Sequence, residues 1–241
     1  MRREAAMVRL VVAFCILVAG VFGALGAAGG LRAQAVDLEL VLSVDSSGSI
    51  DSDEFALQRE GYARALIHPE VLKAIASGPN KAIAIAFVEW SGPGIATRVI
   101  EWTRIAGKED AEAAAGLLLA APRTIFGGGT SLGAAIEDGI AAFEGNRFQG
   151  RRQVIDISGD GFNNRGIAPE HARKEAIRRG ITINGLAVDE FGGALEAYFR
   201  AAVIAGPDAF AISATGFEDF HRAVLRKLLR EIFISQAAAP S

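Results

Sequence analysis

Cysteine is all but absent: the chain has one in 241 residues, Cys15. Everything after it lacks a thiol, which excludes a disulfide, a thiolate metal site and a Cys nucleophile from the bulk of the protein. Phe14 precedes Cys15, a poor context for lipid attachment. Histidine is scarce as well. His68, His171 and His221 stand far apart with no metal-ligand spacing, and the last two fall on predicted helices where a surface place is the default. Basic charge is in deficit. Without Arg2, Arg3, Glu4, Arg9 and Arg32, 21 basic and 27 acidic residues are left, a net of −6. That balance argues against nucleic acid, whose partners carry a basic patch. No apolar run beyond residue 35 is long enough to cross a bilayer. The Gly127-Gly128-Gly129 run lacks the Gly-Lys-Ser/Thr ending of a phosphate loop. There is no internal repeat.

The one long apolar run is at the start. Arg2, Arg3 and Arg9 precede an uncharged stretch over 10–30, and Ala33-Gln34-Ala35 follows as a small-x-small cleavage signal. Residues 1–35 therefore read as a cleaved signal peptide or as a retained N-terminal anchor. In both readings the positive flank keeps the N-terminus inside and delivers the rest outside the cytoplasmic membrane. The expected location is periplasmic or secreted, with membrane contact only through residues 10–30. Residues 36–234 are predicted to form one domain, large enough for a sizeable core, and 235–241 a flexible tail.

Within that domain, periodicity and turn residues predict six strands, over 36–44, 82–88, 96–102, 153–158, 181–188 and 209–213. Helices are expected over 52–67, 70–76, 109–120, 131–143, 169–179, 195–204 and 217–233. Asp51 and Glu54 have the spacing of a capping box at the first of these. The short Ser91-Gly92-Pro93-Gly94 turn makes the third strand an antiparallel edge, across which Trp90 and Trp102 are expected to pack. The alternation of strands and helices implies an α/β fold. It is a doubly wound, mostly parallel six-stranded sheet with helices on both faces and one antiparallel edge strand.

Polar oxygens gather at three predicted strand ends. Asp45-Ser46-Ser47-Gly48-Ser49 closes the first strand, Thr130 follows the three glycines, and Asp160 follows the strand over 153–158. Ligands of open α/β sheets bind where the strand order reverses, outside the carboxyl ends. If the first strand and the 153–158 strand are neighbours there, Asp45, Ser47, Ser49, Thr130 and Asp160 can meet. Oxygen ligands of this kind suit a hard cation such as Mg²⁺.

The pattern Asp45-x-Ser47-x-Ser49, then Thr130, then Asp160-Gly161, resembles the metal-ion-dependent adhesion site of von Willebrand factor type A domains, over residues 37–233. Gln58-Arg59-Glu60-Gly61-Tyr62, Glu89-Trp90-Ser91, Ser158-Gly159-Asp160-Gly161 and Lys227-Leu228-Leu229-Arg230-Glu231-Ile232 resemble an exported bacterial subgroup of this fold with no assigned activity. The resemblance implies Mg²⁺ (or Mn²⁺) held by those five residues, with the hydroxyls contacting the cation and the carboxylates often acting through water. It implies a binding module and no catalytic residue. The sixth ligand would be an Asp or Glu of an extracytoplasmic protein partner. The glycines before Thr130 would let that loop shift as the partner binds. Gly159 departs from the family, which often has Thr there.

Each residue also has a plainer reading. The Asp45 turn could only cap a helix, Thr130 could be the N-cap of its own helix, and Asp160 an ordinary turn residue. Asp156, inside a strand, is expected to hold a structural partner, because a buried carboxylate needs one. Asn163 and Asn164 could line the rim, and Asp51, Asp53, Asp189 and Glu190 could add acidic character at that edge. The competing function is a metal-dependent hydrolase or phosphatase on a similar sheet, with Asp45 as nucleophile. Such phosphatases want a second acid two residues on, and Ser47 stands there. A third reading is a metal-independent envelope scaffold.

Overall fold

Leu38–Asp45 (β2) and Ile83–Trp90 (β3) are buried at all eight positions each, the pattern of central strands covered on both faces. The structure, a computed structural model, describes residues 33–190 and 192–237. The predicted signal or anchor segment, apart from its last residues, lies outside them. Two short strands, Gln34–Val36 (β1) and Phe148–Gly150 (β5), pair in parallel as a small separate sheet. The predicted domain start at 36 thus falls inside β1. Asp37 separates β1 from β2, its carboxylate accepting from the Asn80 backbone N–H and side-chain amide at 3.0 Å.

The main sheet has six strands in the order β4-β3-β2-β6-β7-β8. Here β4 is Ala96–Ile105, β6 is Gln153–Gly159, β7 is Thr182–Val188 and β8 is Ala211–Ala214. Only β4 runs antiparallel, at one edge, as the short turn predicts. The chain winds outward from β2 to β3 and β4, then returns to β6 on the other side of β2 and continues to β7 and β8. The order therefore reverses between β2 and β6.

Helices Ser52–Leu66 (α1), Pro69–Ser77 (α2), Lys108–Ala120 (α3) and Phe217–Ala237 (α7) cover one face. Leu132–Ala142 (α4), Pro169–Arg178 (α5) and Ala194–Tyr198 (α6), which runs on as a π-turn over Phe199–Val203, cover the other. The capping box at α1 is complete. Asp51 Oδ1 accepts from the N–H groups of Asp53 and Glu54, and Glu54 Oε2 accepts from the Asp51 N–H at 2.8 Å. Among the described residues no helix is long and apolar enough to cross a membrane.

Two expectations are corrected. Trp90 and Trp102 do not pack together. Trp90 lies in the core under α4, while Trp102 packs on Phe143 and Phe148 and donates to Ala142 O at 2.7 Å. Register separates the two rings: Trp90 faces Ala96 across the ladder, while Trp102 lies between the partners of Ile85 and Phe87. Nor does a loose tail begin at 235, and the rest of the predicted tail, 238–241, lies outside the described residues. Helix α7 continues through Ala237, with Ser235 buried and its hydroxyl donating to Ile232 O.

Four stretches far apart in sequence are wired together by this fold. Arg59 on α1 pairs with Glu89 on β3 at 2.7 Å, both out of solvent. Tyr62 OH shares a hydrogen bond with Ser158 Oγ at 3.1 Å. Ser91 Oγ donates to Gly127 O and its carbonyl accepts from the Ser131 N–H. Lys227 reaches Asp156, two residues before Ser158, at 2.6 Å. The segments that carry the subgroup resemblance are thus the polar fastenings between helices, sheet and loops.

Candidate metal centre

The register places Val44 beside Ser158, and Asp45 beside Trp90. Asp45 is therefore the last residue of β2, next to the end of β6, where the strand order reverses. Its side chain is fully buried. Oδ1 accepts from the Ser47 N–H at 2.8 Å, and Oδ2 has no hydrogen-bond partner. Burial, reinforced by the Asp160 carboxylate, pushes the Asp45 carboxyl up to about 7, against the pull of the Ser47 hydrogen bonds. Asp160 is itself held above the usual carboxylate range by burial, with Ser49 pulling it down and Glu190 adding to the rise.

The structure brings all five predicted residues together. Ser47 Oγ lies 3.1 Å from Ser49 Oγ and 3.5 Å from Thr130 Oγ1, and Ser49 Oγ donates to Asp160 Oδ1 at 3.1 Å. Asp45, Ser47 and Thr130 form a buried floor, Ser49 is exposed, and Asp160 is half-buried at the mouth. The helix behind Thr130 is capped by Ser131, whose Oγ accepts from the Ala134 N–H. The plainer reading of Thr130 as N-cap is thereby set aside, and its hydroxyl is left for the cluster. The donor set fits a hard cation. Neighbouring oxygens around octahedral Mg²⁺ stand about 3.0 Å apart, close to the 3.1 and 3.5 Å seen between these hydroxyls. A buried carboxylate oxygen without a donor is also a group that a cation would satisfy. Among the described residues no cluster of three His, Cys, Asp or Glu side chains competes for a metal.

Close packing explains the glycine before Asp160. A Cβ at Gly159 would stand 3.1 Å from Asp45 Oδ2 and crowd the carboxylate into the sheet. Gly128 answers a backbone need: its φ is +95°, and a Cβ there would strike Ser91 Oγ. The glycine loop is thus fastened to the end of β3 by Ser91.

Two positioning residues escaped the sequence reading. Arg123 lies under the Asp45 turn and holds it by its carbonyls. Nη2 donates to Ile50 O at 2.9 Å and to the carbonyls of Ser46 and Ser47 at 3.4 Å, and Nη1 donates to Asp51 O at 3.2 Å. Asn164, read only as rim polarity, clamps Thr130: its Oδ1 accepts from the Thr130 N–H at 3.0 Å, and its own N–H donates to Thr130 O at 2.9 Å. Neither has a motif spacing that could have revealed it. Arg123→Ala is expected to weaken cation binding without removing a ligand, by about the 10–100-fold typical of lost outer-shell support. Titration calorimetry with Mn²⁺ checks this, and unchanged affinity would show that the turn holds itself.

Acidic character at this edge is present. A cavity of about 520 Å³ is lined by Asp53, Glu54, Glu190, Glu218 and Asp219, with Arg222 among them. Asp51 caps α1, and Asp189 accepts from the Glu196 N–H. Phe126, just before the glycine loop, is 77 % exposed.

A family model described as "Protein of unknown function (DUF1194)" matches residues 35–236. No curated protein matches the chain. Among solved structures, the pilus adhesin SpaC from Lactobacillus rhamnosus GG is similar at a TM-score of 0.58 and 16% identity, over 84% of this chain and 31% of that one. Proximal thread matrix protein 1 from the mussel byssus, described with a zinc-occupied MIDAS motif, is similar at 0.53 and 15% identity, over 83% and 48%. An aerotolerance-related membrane protein from Bacteroides fragilis NCTC 9343 is similar at 0.51 and 18% identity, over 82% and 99%. The chain thus spans about a third of the adhesin and about half of the matrix protein. At these identities the likeness is one of fold, and the fold is that of von Willebrand factor type A domains.

Proposed function

The chain belongs to the DUF1194 family and has the type A fold, and from that premise we propose that it is an extracytoplasmic binding module. It holds Mg²⁺ or Mn²⁺ through Asp45, Ser47, Ser49, Thr130 and Asp160 and captures a carboxylate of a protein partner. The observation that carries this reading is the meeting of three hydroxyls over a buried, unpartnered Asp45 oxygen. The zinc-occupied motif described for the mussel protein supports a divalent cation in this fold.

The chain's own residues divide the work. Asp45 and Asp160 supply negative charge, Ser47, Ser49 and Thr130 supply neutral oxygens, and Arg123 and Asn164 keep two of the loops in place. A bound cation would supply Lewis acidity toward an incoming anion. With the three neutral hydroxyls in contact and the carboxylates acting through water, the cation's charge would be poorly neutralised at close range, and an Asp or Glu from outside is the natural complement. Export places this site where it meets envelope or extracellular proteins. The phosphatase reading is weaker, because Ser47 stands where a second acid is needed and Asp45 Oδ1 is already engaged by the Ser47 N–H.

Thr130→Ala is expected to lower Mn²⁺ affinity by at least ~10-fold, and with it the retention of envelope proteins on the immobilised chain. Retention should vanish with chelator. Binding that survives both the substitution and the chelator would exclude cation-bridged capture.

A further inference from the structure

The strongest unexplained feature lies away from the metal centre, in a buried trio between β6 and α7. Lys227 Nζ is 2.6 Å from Asp156 Oδ1 and 3.3 Å from Glu231 Oε1. All three side chains are at most 1 % exposed. We propose that Lys227 and Asp156 condense into an intramolecular isopeptide bond, with Glu231 carrying the proton.

The geometry supplies what amide formation needs. The amine stands 2.6 Å from Oδ1, the oxygen bonded to the Cγ it must attack, so the two reacting groups are already held together. Asp156 Oδ1 accepts no aligned hydrogen bond, so its contact with the amine is one of close approach. Glu231 touches the amine from the other side and is held there. Its Oε1 accepts from Asn184 Nδ2 at 2.7 Å, and Asn184 Oδ1 is fixed by the Phe210 N–H at 2.7 Å. Glu231 Oε2 is buried with no partner. The Phe210 ring, 5.3 Å from Nζ, closes the pocket on its apolar side. The Tyr62 hydroxyl is engaged with Ser158.

Charge gives the drive. Two acids face one amine, and burial holds both carboxyls above their usual range. Lys227 pulls against that rise at both acids and Arg152 at Glu231, and the step starts from Asp156 protonated and Glu231 ionised against the ammonium. An ion pair out of water carries a desolvation penalty, and a neutral amide carries none of it. The ammonium passes one proton to the Glu231 carboxylate. The free amine adds to Cγ of protonated Asp156, forming the N–C bond. The C–OH bond breaks and the oxygen leaves as water, with Glu231 relaying the protons. The amide keeps one hydrogen of the original four, water takes two, and the fourth rests on Glu231, so that no charge stays buried. No oxidant, nucleotide or metal enters the step. The product ties α7 to the middle strand of the sheet.

Intact-mass measurement of the purified, denatured chain tests this. The wild type is expected to run about 18 Da below its sequence mass, the water lost in condensation. Tryptic mapping should join the peptide holding Asp156 to the one starting at Lys227. Lys227→Arg keeps the charge and cannot condense, and Glu231→Gln removes the proton carrier, so both should show full mass and unlinked peptides. Because the wild-type mass alone decides the matter, misfolding of either variant leaves the test intact. A folded wild type at full mass, with Lys227 cleaved by trypsin as a free lysine after a day at 37 °C (a time generous for a positioned reaction), would overturn it and leave the trio a structural ion pair.

Discussion

Mg²⁺ or Mn²⁺ added at a hundredfold excess over its dissociation constant is expected to raise the melting temperature by roughly 5–10 °C. The Asp45→Asn variant should not respond. Binding to the folded state alone adds ~2.7 kcal/mol at that excess, and each kcal/mol moves a domain of this size by ~2–4 °C. Differential scanning fluorimetry with and without chelator is sufficient. A wild type that melts identically in both would remove the metal centre and leave the scaffold reading.

The metal-free protein should also show what the site costs in stability. Asp45 titrates at about 7 in the fold against 3.8 when unperturbed. Between those values the folded state holds the proton more tightly than the unfolded one, so stability is fully present below about pH 4 and falls as pH rises through 7. At ~1.4 kcal/mol per pH unit the loss is on the order of 4 kcal/mol by pH 8. Asn at position 45 cannot ionise. Asp45→Asn should therefore melt above the metal-free wild type at pH 8 and near it at pH 4, while losing the metal response. A binding residue that weakens its own fold when empty is the expected signature of a site built for a ligand.

The second large effect lies at Arg59–Glu89. Glu89→Ala is expected to destabilise the fold by about 3–5 kcal/mol, because it strands a guanidinium inside the protein. Arg59 keeps the carbonyls of Leu118 and Ala121 and the face of Phe55, but no counter-charge at 2.7 Å. Burial outweighs Arg59 in setting the Glu89 carboxyl, which is held above its ordinary value, so the pair itself adds little net stability. The double variant Arg59→Met/Glu89→Leu should recover most of the single loss in urea denaturation. If the double falls as far as the single, the pair is a source of stability and not merely a fastening.

Much of this was legible because it is local. The capping box at Asp51 and Glu54 spans three residues, and its pattern is its mechanism. Strand ends followed by Asp45 and Asp160 are visible because polar residues interrupt apolar runs. The antiparallel edge follows from a short turn. Where reading failed, the partners lie far apart or the competing donor is a neighbour. Thr130 and Ser131 are equally good caps in sequence, and only the helix axis shows that Ser131 takes the role. The pairing of β1 with β5 joins two three-residue strands too short to stand out.

The sequence by itself determined the order of the main-sheet strands and the helices, the parallel sheet with its one antiparallel edge, and the five oxygen-bearing residues in three loops, two at strand ends and the Thr130 loop between two helices. Each rests on residues close along the chain, where spacing alone sets which side chains share a face. The tertiary structure decided that β2 and β6 are neighbours, which turns three loops into one site. It decided that Arg123 clamps the Asp45 turn across 73 residues and that Lys227 is buried against Asp156. No periodicity encodes such contacts, because the low-dielectric interior that makes them matter exists only once the chain has folded.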